Sequence, residues 1–262
     1  MYNRLDFLLP WYLDDYVELD RTQEQHLDEL LAPFLAWHRT EELPRYLDLL
    51  SQIEQTIDEP LTSQDMEVIW QDFEQAYLRL EQDALNWLLA LGDRLTQVQM
   101  LEFLDNLQEQ QEEYTEEYLE RDDSEFVDDT YDTMVDTMQE YLGRLNRDQK
   151  NMLRTAAGDM QRSDRAWMDE RAQWLVELRN MLQREPGWQQ DILVSVENRR
   201  ENLPVEYVEV TEHNSSVLYA LIAQVFNSRN EKQDKYLRSK MTDLKDDLRK
   251  LIAQAESAEE TS

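Results

Sequence analysis

The chain has 262 residues, with 58 acidic side chains against 26 basic ones and a net charge of −32. That charge repels phosphate backbones and argues against a nucleic-acid partner. Four glycines and six prolines are too few for the hairpin turns of a sheet protein or the phosphate loops of a nucleotide-binding fold. Zero cysteines exclude disulfides, zinc-thiolate sites and cysteine nucleophiles.

Apolar residues recur at three- and four-residue steps almost throughout, which is the period of a helix. Asp20-Arg21-Thr22-Gln23 announces the first long helix, to about His38, with Pro33 expected to kink it. Thr40 is placed to cap a new helix whose first turn holds Pro44. Asp58-Glu59-Pro60 ends that helix, and Thr62 or Ser63 caps the next. Ile69, Phe73, Ala76, Leu80, Trp87 and Leu91 form its apolar stripe. Tyr131, Val135, Met138, Leu142 and Leu145 form another, and Trp167, Trp174, Leu178 and Met181 or Leu182 a third. Val205–Val210, where Val and Tyr alternate with Glu, reads as an extended connector. Leu237, Met241, Leu244, Leu248 and Leu251 step 4-3-4-3, a heptad seam. The expected fold is all-α, an elongated bundle of about seven to nine helices with no sheet of consequence. It is read as a single helical domain over 1–256, within which 1–92 and an acidic middle at 93–145 are semi-independent, followed by a disordered tail at 257–262.

Four segments share one pattern. Asp20 to Gln23, Thr96 to Gln99, Asn146 to Gln149 and Asn230 to Gln233 all read cap-x-x-Gln, and Leu19, Leu95 and Leu145 precede the first three. In a capping box the cap side chain accepts from the third amide and the glutamine reaches back to the cap's own N–H. Spacings of 76, 50 and 84 residues do not suit a solenoid. These are helix starts.

Charge is unevenly placed. Glu102 to Glu140 holds sixteen acidic residues and only Arg121 on the basic side, whereas Arg229 to Lys250 has eight basic and five acidic. The acidic run reads as a solvated helix face, or as a docking surface for a cationic partner. No helix carries the basic amphipathic face that holds a protein on anionic lipid.

Chemistry is hard to find. The histidines are His26, His38 and His213, and none sits in a Glu-x-x-His di-iron motif or a His-Glu-x-x-His zinc motif. Asp122–Asp129 lacks the sixth-position glycine of an EF-hand. With 58 carboxylates, pairs at glycosidase spacing arise by chance. No catalytic residue, cofactor or metal site is assigned. The densest constellation is N-terminal: Trp11, Tyr12, Asp15 and Tyr16, then Trp37, His38, Arg39, Glu42, Pro44 and Tyr46. Trp and His join an apolar body to a polar tip and seek burial beside a partner. Asp15 is placed to hold His38 or Arg39, in either a structural knot or a partner-binding cluster.

Tyr2-Asn3-Arg4-Leu5-Asp6, Trp11-Tyr12-Leu13-Asp14-Asp15-Tyr16 and Trp37-His38-Arg39-Thr40-Glu41-Glu42-Leu43-Pro44-Arg45-Tyr46 resemble an uncharacterised family of Gram-negative bacterial lipoproteins, a domain of unknown function. The resemblance implies a periplasmic protein anchored through a lipidated cysteine upstream of Tyr2. Without such a leader the protein is cytoplasmic. Leu95-Thr96-Gln97-Val98-Gln99 is similar to the Leu-Thr-x-x-Gln motif of the small helical periplasmic chaperones Spy and CpxP. The expected function is a non-catalytic lipoprotein that binds or scaffolds protein partners of the envelope. Membrane contact is expected only through the N-terminal lipid. The alternatives are an ATP-independent chaperone or envelope-stress protein, and an enzyme with an acidic or histidine site.

Overall fold

The computed structural model describes Leu13 and residues 15–259. Among these are nine helices and no strand. Helix α1 spans 21–56 as Arg21–Trp37, a π-helical turn His38–Glu42 and Leu43–Thr56. It is followed by α2 Ser63–Gly92, α3 Gln97–Leu119, α4 Asp123–Leu142, α5 Arg147–Asp159, α6 Asp164–Met181, α7 Trp188–Glu201, α8 Val205–Asn227 and α9 Glu231–Glu259. The all-α class follows from the helical stripes and the scarcity of glycine. Helix α9 runs to Glu259, and residues 260–262 of the expected tail lie outside the described residues.

Two local expectations are corrected. Val205–Val210 is not extended: it forms the opening turns of α8, where the Val208 amide donates to the Pro204 carbonyl at 3.0 Å. Pro204 precedes the helix, where its missing N–H is not needed, and Glu206 sits favourably in the first turn. Nor does Thr40 begin a new helix. The chain stays helical and widens by one residue, the Leu43 amide donating to His38 O five residues back. Pro44 has no N–H to give the Thr40 carbonyl, and a π turn absorbs that gap without ending the helix.

The chain divides into two compact units. Unit 1 comprises Met1–Ala36, Arg79–Glu120 and Ser163–Glu209; unit 2 comprises Trp37–Leu78, Arg121–Arg162 and Val210–Ser262. Unit 1 has two apolar clusters. Leu27, Leu31 and Leu35 of α1 pack on Trp87 and Leu91 of α2, and Met100 and Leu104 of α3 pack with Leu178, Leu182, Trp188 and Ile192. Unit 2 has one larger core in which Val135, Met138 and Leu142 of α4 meet Leu153 and Ala157 of α5, Leu221 and Val225 of α8, and Leu237 and Met241 of α9. Each such large side chain contributes on the order of 1.5–3 kcal/mol by leaving water. Two stripe residues are exposed instead of packed: Phe73 at 48% and Leu244 at 49%.

Candidate functional site

The sequence-derived cluster divides between the units. Trp11 and Tyr12 lie outside the described residues. Asp15 is exposed and Tyr16 half-buried in unit 1. There the Tyr16 ring lies 6.1 Å from Phe103, its carbonyl accepts from Asn106 Nδ2 at 2.8 Å, and its hydroxyl accepts from Gln110 Nε2 at 2.9 Å. Trp37, His38, Arg39, Glu42, Pro44 and Tyr46 belong to unit 2. The π turn brings His38 edge-on to Tyr46 at 5.7 Å and 6.3 Å from Trp37. Glu42 is fully buried and ion-paired to Arg45. Burial pushes the His38 imidazole below its ordinary pKa; the Glu42 charge opposes that push and Arg39 adds to it. Pro44 occupies the first turn after the π segment. Of the other histidines, His26 Nδ1 is 3.6 Å from Glu29, and the His213 Nε2 is 2.8 Å from the Asp159 carbonyl. Asp122 and Glu125, in the run compared with an EF-hand, are engaged in the capping box of α4. Among the described residues no group of three His, Asp or Glu side chains is arranged to hold a metal ion.

The four cap-x-x-Gln starts are joined in pairs, one in each unit. In unit 1 the Gln23 and Gln99 amides bond reciprocally, Gln23 Nε2 to Gln99 Oε1 at 2.9 Å and Gln99 Nε2 to Gln23 Oε1 at 2.7 Å. Each also donates to the carbonyl two residues before the other's cap, Gln23 to Arg94 and Gln99 to Glu18. In unit 2, Gln149 Nε2 reaches Gln233 Oε1 at 3.1 Å and Gln233 Nε2 reaches Gln149 Oε1 at 2.9 Å. Gln233 donates to the Arg144 carbonyl, and Gln149 to the Ser228 hydroxyl, again two residues before the caps. One arrangement is thus built twice, from residues 76 apart and then 84 apart. Buried glutamines are costly unless every donor and acceptor is met, and these are met. The pairs position helices; they leave nothing over for chemistry.

The concavities are open. A groove of about 540 Å³ in unit 1, between α6 and α7, has Arg199 bonded through two nitrogens to Glu170 and lying 5.0 Å over the Trp174 ring. Arg199 and Glu170 are thus matched to each other, while Glu177 and Asp191 also line the groove.

A surface that sequence reasoning missed lies on the unit 2 part of α2. Trp70 is 57% exposed, Phe73 48% and Tyr77 60%. Spacings of three and seven put them on one side of the helix. Ala76, in the same turns, is buried. Glu67 stands three residues before Trp70; Glu74 stands four after it and three before Tyr77, so carboxylates flank the rings. No Lys or Arg occurs between Ser63 and Leu78. Burial raises the Tyr219 phenol pKa in the same unit, against a Ser215 hydrogen bond, and the charges of Glu67 and Glu74 raise it further. The available signal was Trp and Tyr seven apart, interleaved with Glu seven apart. A stripe drawn through Phe73 hid it by assigning that ring to the core.

Fold and site define a class: a two-unit helical protein in which four helices start at paired glutamine capping boxes and α2 bears an acid-flanked aromatic ridge. The chain belongs to the family of unknown function DUF6279, whose model matches residues 15–208. No curated protein and no solved structure matches it.

Proposed function

We propose that this is a non-catalytic binding protein of the bacterial envelope, whose working surface is the Trp70–Phe73–Tyr77 ridge and whose ligand is a polypeptide segment mixing Lys or Arg with apolar residues. The single observation that carries the reading is three half-exposed aromatic rings on one helix side, interleaved with Glu67 and Glu74 in a stretch that holds no Lys or Arg from Ser63 to Leu78. Large exposed aromatics are disfavoured on a surface that binds nothing, and such rings dominate binding where they occur at interfaces. A cation near the ridge is attracted both by the ring faces and by Glu67 and Glu74. The test is calorimetric titration of the full chain with an amphipathic lysine-rich peptide and with a glutamate-rich peptide of the same apolar content. Binding of the first alone, lost in Trp70→Ser/Phe73→Ser, is the expected result; equal binding of both peptides, or a double variant that binds like wild type, refutes the assignment.

The envelope address rests on the N-terminal pattern from Tyr2 to Tyr46, which resembles a lipoprotein family. Labelling of the native protein by radioactive palmitate in growing cells is expected. Unlabelled protein recovered with the cytoplasmic fraction removes the address. Among the described residues no helix is long and apolar enough to cross a membrane.

A second reading, an ATP-independent chaperone, is favoured by one of the paired boxes, Leu95-Thr96-Gln97-Val98-Gln99, which is similar to the Leu-Thr-x-x-Gln motif of Spy and CpxP. It predicts that near-stoichiometric protein suppresses aggregation of a denatured client without nucleotide. Unchanged aggregation across a range of salt excludes it.

A further inference from the structure

The glutamine pair of unit 2 joins two sequence segments that are unusual in this chain. Gly143–Lys150 and Arg229–Lys240 together hold eight basic residues and three acidic ones, in a protein of net charge −32. Because Gln149 and Gln233 are bonded to each other, the caps at Asn146 and Asn230 lie side by side, and so do the two basic segments. Arg229 and Arg238 are committed to Asp234, and Arg238 also to Asp58. Arg144, Arg147, Lys150, Lys232 and Lys235 are exposed and make no ion pair among the described residues. Between the segments lies a groove of about 660 Å³, with Leu142, Gly143 and Tyr236 on its walls and Arg144, Lys232 and Lys235 around them. Tyr236 is 41% exposed, and Lys240 stands 5.7 Å from its ring centre. Gly143 has φ +67, a conformation that favours glycine, and a side chain there would meet the Tyr236 ring at 3.7 Å. The matching end of unit 1 is acidic: the caps Asp20 and Thr96 are accompanied by Glu18, Glu24 and Asp93 against Arg21 and Arg94.

We infer that this basic, aromatic-floored end of unit 2 docks on the anionic headgroup surface of a lipid bilayer. The cations are lysine-rich point charges on helix starts and turns, suited to headgroup phosphates that need no fixed geometry. A half-exposed tyrosine among them belongs at a boundary between polar and apolar media. The acidic remainder of the chain does not override this. Charges more than about 8 Å from the surface are screened at physiological salt, so the end that touches decides. The inference is independent of the ridge on α2 and survives if that reading fails.

The experiment is flotation of the full chain with phosphatidylcholine vesicles that contain or lack one third phosphatidylglycerol. Binding only to the anionic vesicles, weakening with salt, is expected. Neutralising three contacting cations in Arg144→Ala/Lys232→Ala/Lys235→Ala lowers partitioning about a hundredfold, at about fivefold per cation. All three residues are exposed, and circular dichroism checks that the variant keeps its helices. Arg249→Ala/Lys250→Ala, which breaks pairs with Asp246 and Asp247, leaves partitioning unchanged. Absence of anionic-vesicle binding, or a triple variant that binds like wild type, overturns the inference. So does release by inorganic phosphate at matched ionic strength, which marks a free-anion site, or preference for poly-glutamate over vesicles, which marks an acidic polypeptide.

Discussion

Replacing Gln149 by alanine tests the glutamine pairs most sharply. Gln149 is fully buried. Its Oε1 accepts from the Asn146 amide at 3.0 Å and from Gln233 Nε2 at 2.9 Å, while Nε2 donates to Gln233 Oε1 and to Ser228 Oγ, both at 3.1 Å. Gln149→Ala removes the return half of a capping box, about 1 kcal/mol. It also leaves the Gln233 amide, only 4% exposed, short of one donor and one acceptor, at about 1–3 kcal/mol for stranded buried groups. Together with the cavity left behind, the expected loss is about 3–4 kcal/mol. Gln99→Ala, at a half-exposed position, is expected to lose about half as much because water replaces the missing partner. Urea unfolding followed by circular dichroism gives both values. In Gln149→Ala/Gln233→Ala the losses should fall short of additive by about 1–3 kcal/mol. A single-variant loss below about 1 kcal/mol, or strict additivity, refutes the reasoning.

Other outcomes follow from single positions. Trp70→Ala is expected to change stability by no more than about 0.5 kcal/mol while weakening cationic-peptide binding at least tenfold, read by urea midpoint and calorimetry. The lowered pKa of His38 makes its neutral form the folded one. Its contribution is therefore complete above the unfolded value, about pH 6.5, and is lost as pH falls from there through the folded value. Urea midpoints measured against pH should show that slope in wild type and lack it in His38→Gln. A side chain at Gly92 would stand 2.8 Å from the buried Trp188 ring; Gly92→Ala is expected to cost about 1–3 kcal/mol in the same assay.

Local signals were legible and long-range ones were not. The four caps could be read because a capping box is complete within four residues, and all four have both reciprocal bonds of the motif; Asp122 with Glu125 adds a Glu version outside the Gln series. That Gln23 finds Gln99 and Gln149 finds Gln233 could not be read, since nothing local encodes a partner 76 or 84 residues away. The basic end of unit 2 was hidden for the same reason: each half is modest, and only the glutamine pair adds them together. Helical period placed Val135, Met138 and Leu142 correctly in the core. It placed Phe73 wrongly, because a periodic stripe shows which residues share a side without showing how far the packed surface extends. The π turn was masked by Pro44, whose missing N–H reads equally well as a fresh helix start or as a tolerated gap in a continuing one.

The ridge is tested most directly through its own indole. The chain has seven tryptophans, each with an indole N–H that nuclear magnetic resonance can follow separately. On titration with a cationic amphipathic peptide, the Trp70 resonance should move and saturate, and the buried Trp87 and Trp188 resonances should stay in place. Saturation that leaves Trp70 unmoved, or a shift confined to Trp174 in the unit 1 groove, contradicts the account.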